Sequence, residues 1–144
     1  MRGAAVLLSS QEVTWSTPQW LFDGLDKEFG FTLDVCAQPL NAKCSNFFTP
    51  EQDGLQQEWQ GVCWMNPPYG QAIGRWIEKA YKTAQAGHTV VCLLPARTDT
   101  RWFHAYCVYG ELRWIKGRLK FGTSKNAATF PSFICIFHGR KPHP

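Results

Sequence analysis

The stretch from Val62 to Gly70, V-C-W-M-N-P-P-Y-G, constrains the fold more than any other part of this sequence. Val62, Cys63, Trp64 and Met65 make a short apolar run of the kind buried in a sheet, and it has to stop at Asn66 because Pro67 and Pro68 carry no N–H for a ladder. A side-chain amide, two proline carbonyls and an aromatic ring are thereby presented at the carboxyl end of a strand, which is where open α/β sheets bind ligands. These residue types suit one chemistry. The Asn66 side-chain oxygen and the Pro67 carbonyl can each accept one hydrogen of a planar amino group while Tyr69 stacks on the ring that bears it. Adenine, cytosine and a glutamine amide all carry such a group. Asn-Pro and Pro-Tyr-Gly are also ordinary turn sequences, so the motif gains its weight from the apolar strand before it and the helix after it.

That helix is marked by Ile73, Trp76, Ile77, Ala80, Tyr81 and Ala84 on one face and ends near Gly87. Thr89 to Leu94 then reads as a buried strand of the parallel kind, ending in a second polar cluster, Pro95 to Asp99. Upstream, Thr17 is a suitable N-cap and Pro18 a first helical residue for a helix carrying Leu21, Leu25 and Phe29, which Gly30 stops. Phe31 to Val35 follows as a strand ending in Asp34, and Phe47 to Pro50 as a short strand and turn. Downstream, Asp99 or Thr98 can cap a helix with Trp102, Phe103 and Tyr106, beside Arg97 and Arg101, which are either cations at the mouth of a site or a solvated basic surface. Glu111 to Ile115 is another strand. Lys116 to Gly122 alternates basic and apolar residues, predicting a strand with one cationic face and Phe121 at its tip. Ser132 to Phe137 closes the series as an apolar strand. Residues 1–13 read as a loose arm, 14–139 as one domain and 140–144 as a tail, with no internal repeat.

A chain of 144 residues, 44% of them hydrophobic and 15% aromatic, can build one sizeable core. Its net charge of +4 suits a polyanionic partner without demanding one. The six cysteines show no Cys-x-x-Cys spacing, most lie within apolar runs, and the four histidines are scattered, so no metal site is expected. No apolar run approaches a membrane span and no secretory leader is evident, which predicts a cytoplasmic protein.

Asn-Pro-Pro-Tyr is also the motif of the amino-methyltransferases, and the chain resembles them there. The likeness extends further. Trp15 to Pro18 (Trp-x-Thr-Pro), Leu33 to Ala37 (Leu-Asp-x-x-Ala), Asn66 to Tyr69 and Gly117 to Phe121 (Gly-Arg-x-x-Phe) follow one another as in the phage-type DNA adenine-N6 methyltransferases, from Trp15 to about Gly139. The resemblance implies an α/β fold with a single-domain Rossmann-like methyltransferase sheet, abbreviated and with an antiparallel last strand. It implies S-adenosylmethionine as cofactor, double-stranded DNA as partner, and a monomer of phage or restriction-modification kind. The residues carried over are Asn66, Pro67 and Tyr69 for catalysis; Trp15, Thr17, Pro18, Asp34, Ala37, Asp53 and Asn66 for the cofactor; and Arg97, Arg118, Lys120, Phe121 and Lys125 for DNA, with Phe121 stacking on the target base opposite Tyr69. Asp34 could instead cap its own turn, and Asp53 could be a solvated turn residue.

The chain departs from the wider methyltransferase pattern where a Gly-x-Gly turn follows the first strand, since Asp34-Val35-Cys36-Ala37-Gln38 holds no glycine. Two other readings stay open: a methyltransferase of the same motif acting on RNA or on a protein glutamine, and a nucleic-acid-binding module without catalysis.

Overall fold

The computed structural model describes residues 16–122 and 127–140. Among them the chain forms a mixed five-stranded sheet and three α-helices. The strands are β1 (Leu33–Asp34), β2 (Val62–Met65), β3 (Thr89–Pro95), β4 (Glu111–Trp114) and β5 (Ser132–Phe137). The helices are α1 (Gln19–Phe29), α2 (Ile73–Gln85) and α3 (Arg101–Ala105). The strand order is β1-β2-β3-β5-β4; β1, β2 and β3 run parallel, and β5 is antiparallel to both of its neighbours.

The apolar runs are unbroken because both faces of the sheet are covered. Alternation along each strand sends Cys63, Met65, Val90, Cys92, Leu94, Phe133, Cys135 and Phe137 to one face, where Ile73, Trp76, Ile77 and Ala80 of α2 and Phe103 of α3 complete the core. Trp64, Val91, Leu93, Ile134 and Ile136 point to the other face, against Phe22 and Leu25 of α1. The six cysteines form no disulfide, and Cys63, Cys92, Cys107 and Cys135 are buried as small core residues.

Several local expectations need correction. Pro18, not Thr17, holds the position before the first turn of α1, its carbonyl accepting from the Leu21 and Phe22 amides, and no side chain caps that end. The Thr17 hydroxyl is engaged elsewhere. Gly30 does terminate α1, with φ 70° and its N–H on the Asp26 carbonyl. Helix α3 is capped by Thr100, whose hydroxyl accepts from the Phe103 amide at 3.4 Å, instead of by Thr98 or Asp99. The predicted strand Phe31 to Val35 is only Leu33–Asp34, and its outer neighbour is a single parallel bridge from Asp34 to Phe47.

The expected strand from Lys116 to Phe121 is absent: the segment is irregular. Gly117, at φ 75°, turns the chain off β4, and it then lays Leu119 and Phe121 into the α1 face of the core. The alternation read from the sequence is real from Arg118 to Phe121, with Arg118 and Lys120 exposed and Leu119 and Phe121 buried. It comes from packing and not from a ladder. Of the predicted arm and tail, residues 1–13 and 141–144 lie outside the described residues.

Candidate active site

Because β1, β2 and β3 are parallel, their carboxyl ends at Asp34, Met65 and Pro95 lie along one edge of the sheet. Strand β5 runs the other way and pairs Ser132 with Pro95, so the residues before it reach the same edge. A cavity of about 590 Å³ opens there. Its walls bring together residues far apart in sequence: Thr17, Asp34, Ala37, Asp53, Asn66, Pro67, Tyr69 and Arg97 all line it.

Asn66 follows directly on β2, and Pro67 and Pro68 end the ladder there. The Asn66 Nδ2–H donates to the Thr17 hydroxyl at 3.0 Å, and Thr17 is only 4% exposed. This bond holds the carboxamide in one orientation and makes its other end the acceptor. The Tyr69 hydroxyl donates to the Leu93 carbonyl on β3 at 3.4 Å, and burial pushes its phenol well above the usual range. Tyr69 therefore acts as a neutral ring anchored to the sheet. Phe130 lies edge-on to it, with ring centroids 5.6 Å apart, and also lines the cavity.

The first-strand side is built around Asp34, which is 2% exposed. Its carboxylate accepts the Cys36 amide at 3.2 Å and the Lys43 amide at 3.0 Å. Burial nonetheless raises its pKa from 3.8 to about 6, the two amides and the Lys43 charge offsetting only part of the desolvation. Burial also lowers the Lys43 pKa, against the pull of Asp34 and Asp23, and its ammonium donates to Gln19 Oε1 at 2.8 Å.

Asp53 sits at φ 53° and caps the short 3₁₀ turn Gly54–Gln56 through the Leu55 amide. Behind it, Gly54 is fixed by close approach. A Cβ there would stand 2.3 Å from the Val35 carbonyl and 2.9 Å from the Trp76 ring. Trp76 stacks on Trp59, whose indole N–H donates to the Gly54 carbonyl at 2.8 Å, so two of the tryptophans brace this wall.

Other expected residues lie elsewhere. Arg118 and Lys120 are exposed and do not line the cavity. Phe121 is 2% exposed in the core, its ring 6.2 Å from that of Phe130, so Phe130 stands at the cavity wall where a strand tip bearing Phe121 was expected. Pro18 is not a lining residue, and Trp15 and Lys125 fall outside the described residues. Sequence reasoning missed Phe130, Lys43 and Trp76. Phe130 could have been found only by placing the start of an antiparallel β5 beside the end of β3. Among the described residues no group of three or more His, Cys, Asp or Glu side chains is placed to hold a metal ion, and no helix is long and apolar enough to cross a membrane.

The fold is that of an α/β protein whose cavity, walled by an oriented amide, an anchored aromatic ring and a buried acid, lies at the carboxyl ends of parallel strands, where open α/β sheets bind ligands. Comparison with known proteins is more specific. The chain belongs to the DNA N-6-adenine-methyltransferase (Dam) family, whose model matches residues 5–136. It is 34% identical to the DNA N-6-adenine-methyltransferase of Haemophilus phage HP1 over 93% of this chain and 83% of that protein. It is 31% identical to the DNA N-6-adenine-methyltransferase of Escherichia phage T1 over 73% of this chain, which spans 45% of that longer protein.

Proposed function

We propose that this protein transfers a methyl group from S-adenosylmethionine to the exocyclic amino group of an adenine rotated out of double-stranded DNA. The observation that carries the reading is the single cavity shared by Asn66, Pro67 and Tyr69 on one side and Asp34, Ala37 and Asp53 on the other, in a chain of the adenine-methyltransferase family. The strand order, with an antiparallel β5 between β3 and β4, supports an abbreviated Rossmann-like methyltransferase sheet.

The donor set fits the cofactor. The volume lies in the range of ligand pockets, and the lining combines aromatic and aliphatic walls for a purine with acids suited to ribose hydroxyls or an ammonium group. Ala37, Asp53 and the segments around Thr17 and Asp34 would hold it. When bound, it supplies an electrophilic methyl group on a sulfonium. The chain's own residues do the rest. Adenine has to leave the stack because its amino nitrogen is otherwise paired. The Asn66 oxygen and the Pro67 carbonyl then take one amino hydrogen each, drawing the nitrogen out of conjugation and turning lone-pair density toward the methyl group. Transfer would leave the cofactor as a neutral thioether and the amino proton would go to water afterwards, so the chain need supply no strong base. Tyr69 stacks on the base, with Phe130 closing the slot and Phe121 behind it. Arg97 at the cavity wall and the exposed Arg118 and Lys120 are assigned to phosphates.

Incubating the protein with methyl-labelled S-adenosylmethionine and mixed-sequence duplex DNA, followed by nucleoside analysis, tests the reading. Label in N6-methyladenine is expected. Label only in RNA or in protein glutamine would move the target to another bearer of an amino group, and DNA binding with neither transfer nor saturable S-adenosylmethionine binding would leave a nucleic-acid-binding module.

A further inference from the structure

We propose that Asp34 is a positioning residue, whose carboxylate clamps the segment from Cys36 to Phe48 into the cavity wall and so does with a side chain what a glycine-rich turn does with backbone. The proposal rests on reading that wall as the S-adenosylmethionine site. Asp34 ties the segment at four points. Its two carboxylate oxygens accept the Cys36 and Lys43 amides, its own N–H donates to the Asn46 carbonyl at 3.0 Å, and its carbonyl accepts the Phe48 amide at 3.0 Å. The start, middle and end of the segment are thus fixed to one residue at the end of β1.

What is fixed is the wall itself. Cys36, Ala37, Gln38, Asn41, Lys43 and Phe48 all line the cavity. The Ala37 amide bonds back to the Phe48 carbonyl at 3.0 Å, which closes the segment on itself. A carboxylate suits this task because it is acceptor-only at both ends and can take N–H groups arriving from separate parts of the chain. An Asn of the same shape offers one acceptor, and its amide nitrogen would face an N–H at the other arm. The cost is a buried negative charge at the rim of the site, which a residue serving only to fill space would not carry.

Asp34→Asn therefore cuts one arm of the clamp with almost no change of volume. The measurements are amide hydrogen exchange of the ligand-free protein and titration with S-adenosylhomocysteine, on wild type and variant. We expect exchange across residues 36–48 to quicken at least tenfold in the variant while β2, β3 and β5 keep their protection, and the Kd for S-adenosylhomocysteine to rise at least tenfold. Weaker binding with wild-type exchange would make Asp34 a direct ligand and overturn the proposal; faster exchange with unchanged affinity would overturn the link to binding. If wild type binds no S-adenosylhomocysteine, the cofactor reading falls and takes the binding half of the proposal with it, while the exchange comparison still upholds or refutes the clamp. Should Asp34→Asn fail to fold, Asp34→Glu, which keeps the charge but displaces both oxygens, is held to the same outcomes.

Discussion

The Thr17 hydroxyl accepts the Asn66 Nδ2–H at 3.0 Å, joining residues 49 positions apart at a half-buried point between the approach to α1 and the end of β2. An asparagine that must offer an oxygen to an amino group works only if its amide is held in that orientation, because the two ends of the carboxamide are nearly the same size. Thr17→Val keeps the shape and loses the acceptor. Turnover is expected to fall between about tenfold and a hundredfold, the scale of a misplaced reacting group, while cofactor affinity stays within about threefold. Thr17→Ser should restore turnover, and Asn66→Ala should abolish it. Single-turnover rates beside a binding titration decide the point. A loss that fell on cofactor affinity instead would place Thr17 on the cofactor.

The acid at Asp34 leaves a mark on stability as well. Its pKa is raised on folding from 3.8 to about 6, so the folded chain holds this proton more tightly than the unfolded chain does. The resulting stabilisation is present in full below the lower value and is lost as pH rises through about 6. The pH-dependent part amounts to about 3 kcal/mol at most. Of the neighbouring groups, Lys43 has its pKa lowered by burial, and Cys44, pushed up to about 11 by burial, stays neutral throughout this window. Asp34→Asn has no such term. Its stability relative to wild type should therefore improve as pH goes from 4 to 7.5, even though its cofactor site is damaged. Urea melts of both proteins across that range would show it, and a constant difference between the curves would refute it.

Gly54 offers a purely steric prediction. A Cβ at 2.3 Å from the Val35 carbonyl meets backbone that has no room to withdraw, because the Val35 amide is bonded to the Trp64 carbonyl on β2. Gly54→Ala should destabilise the protein by about 1 to 3 kcal/mol and weaken cofactor binding, since the displaced wall carries Asp53. Gly24, on α1 with nothing within 4 Å of an added Cβ, is the control. Gly24→Ala should be neutral or slightly stabilising, and equal melting points for the two variants would count against the steric account.

How much could be read in advance follows from where the information lies. Strands β2, β3 and β5 and helix α2 were legible because an unbroken apolar run or a helical stripe is set by burial alone, and the strand end at Asn66 because two prolines cannot pair. Strand β1 was over-extended because its outer side is met by the loop at Phe47, a pairing that no periodicity records. The same limit hid Phe130, which reaches the cavity through strand order, and the clamp from Asp34 to Lys43, which depends on where a loop returns. At Lys116 to Phe121 the period was right and its cause was not, since burial of Leu119 and Phe121 against α1 imposes the same alternation that a strand would.

That segment carries the last prediction, on the DNA side. Arg118 and Lys120 are exposed on a stretch whose apolar residues are locked into the core, so they form a cationic edge on a fixed support. Replacing both with Gln should weaken binding to every DNA sequence alike and flatten the salt dependence by up to about one unit of slope for each phosphate no longer neutralised. The two nearby rings should then separate by role. Phe121→Ala empties a buried site and is expected to cost about 3 to 5 kcal/mol of stability with activity falling on all substrates. Phe130→Ala removes a ring from the cavity wall. Its loss should fall on turnover, with a smaller effect on DNA carrying a mismatch opposite the target adenine, where rotating the base out costs less. Melting curves, salt titrations and single-turnover rates on matched and mismatched duplexes separate these outcomes. An unchanged salt slope would remove Arg118 and Lys120 from the DNA interface, and equal losses for Phe130→Ala on both duplexes would remove that ring from the base slot.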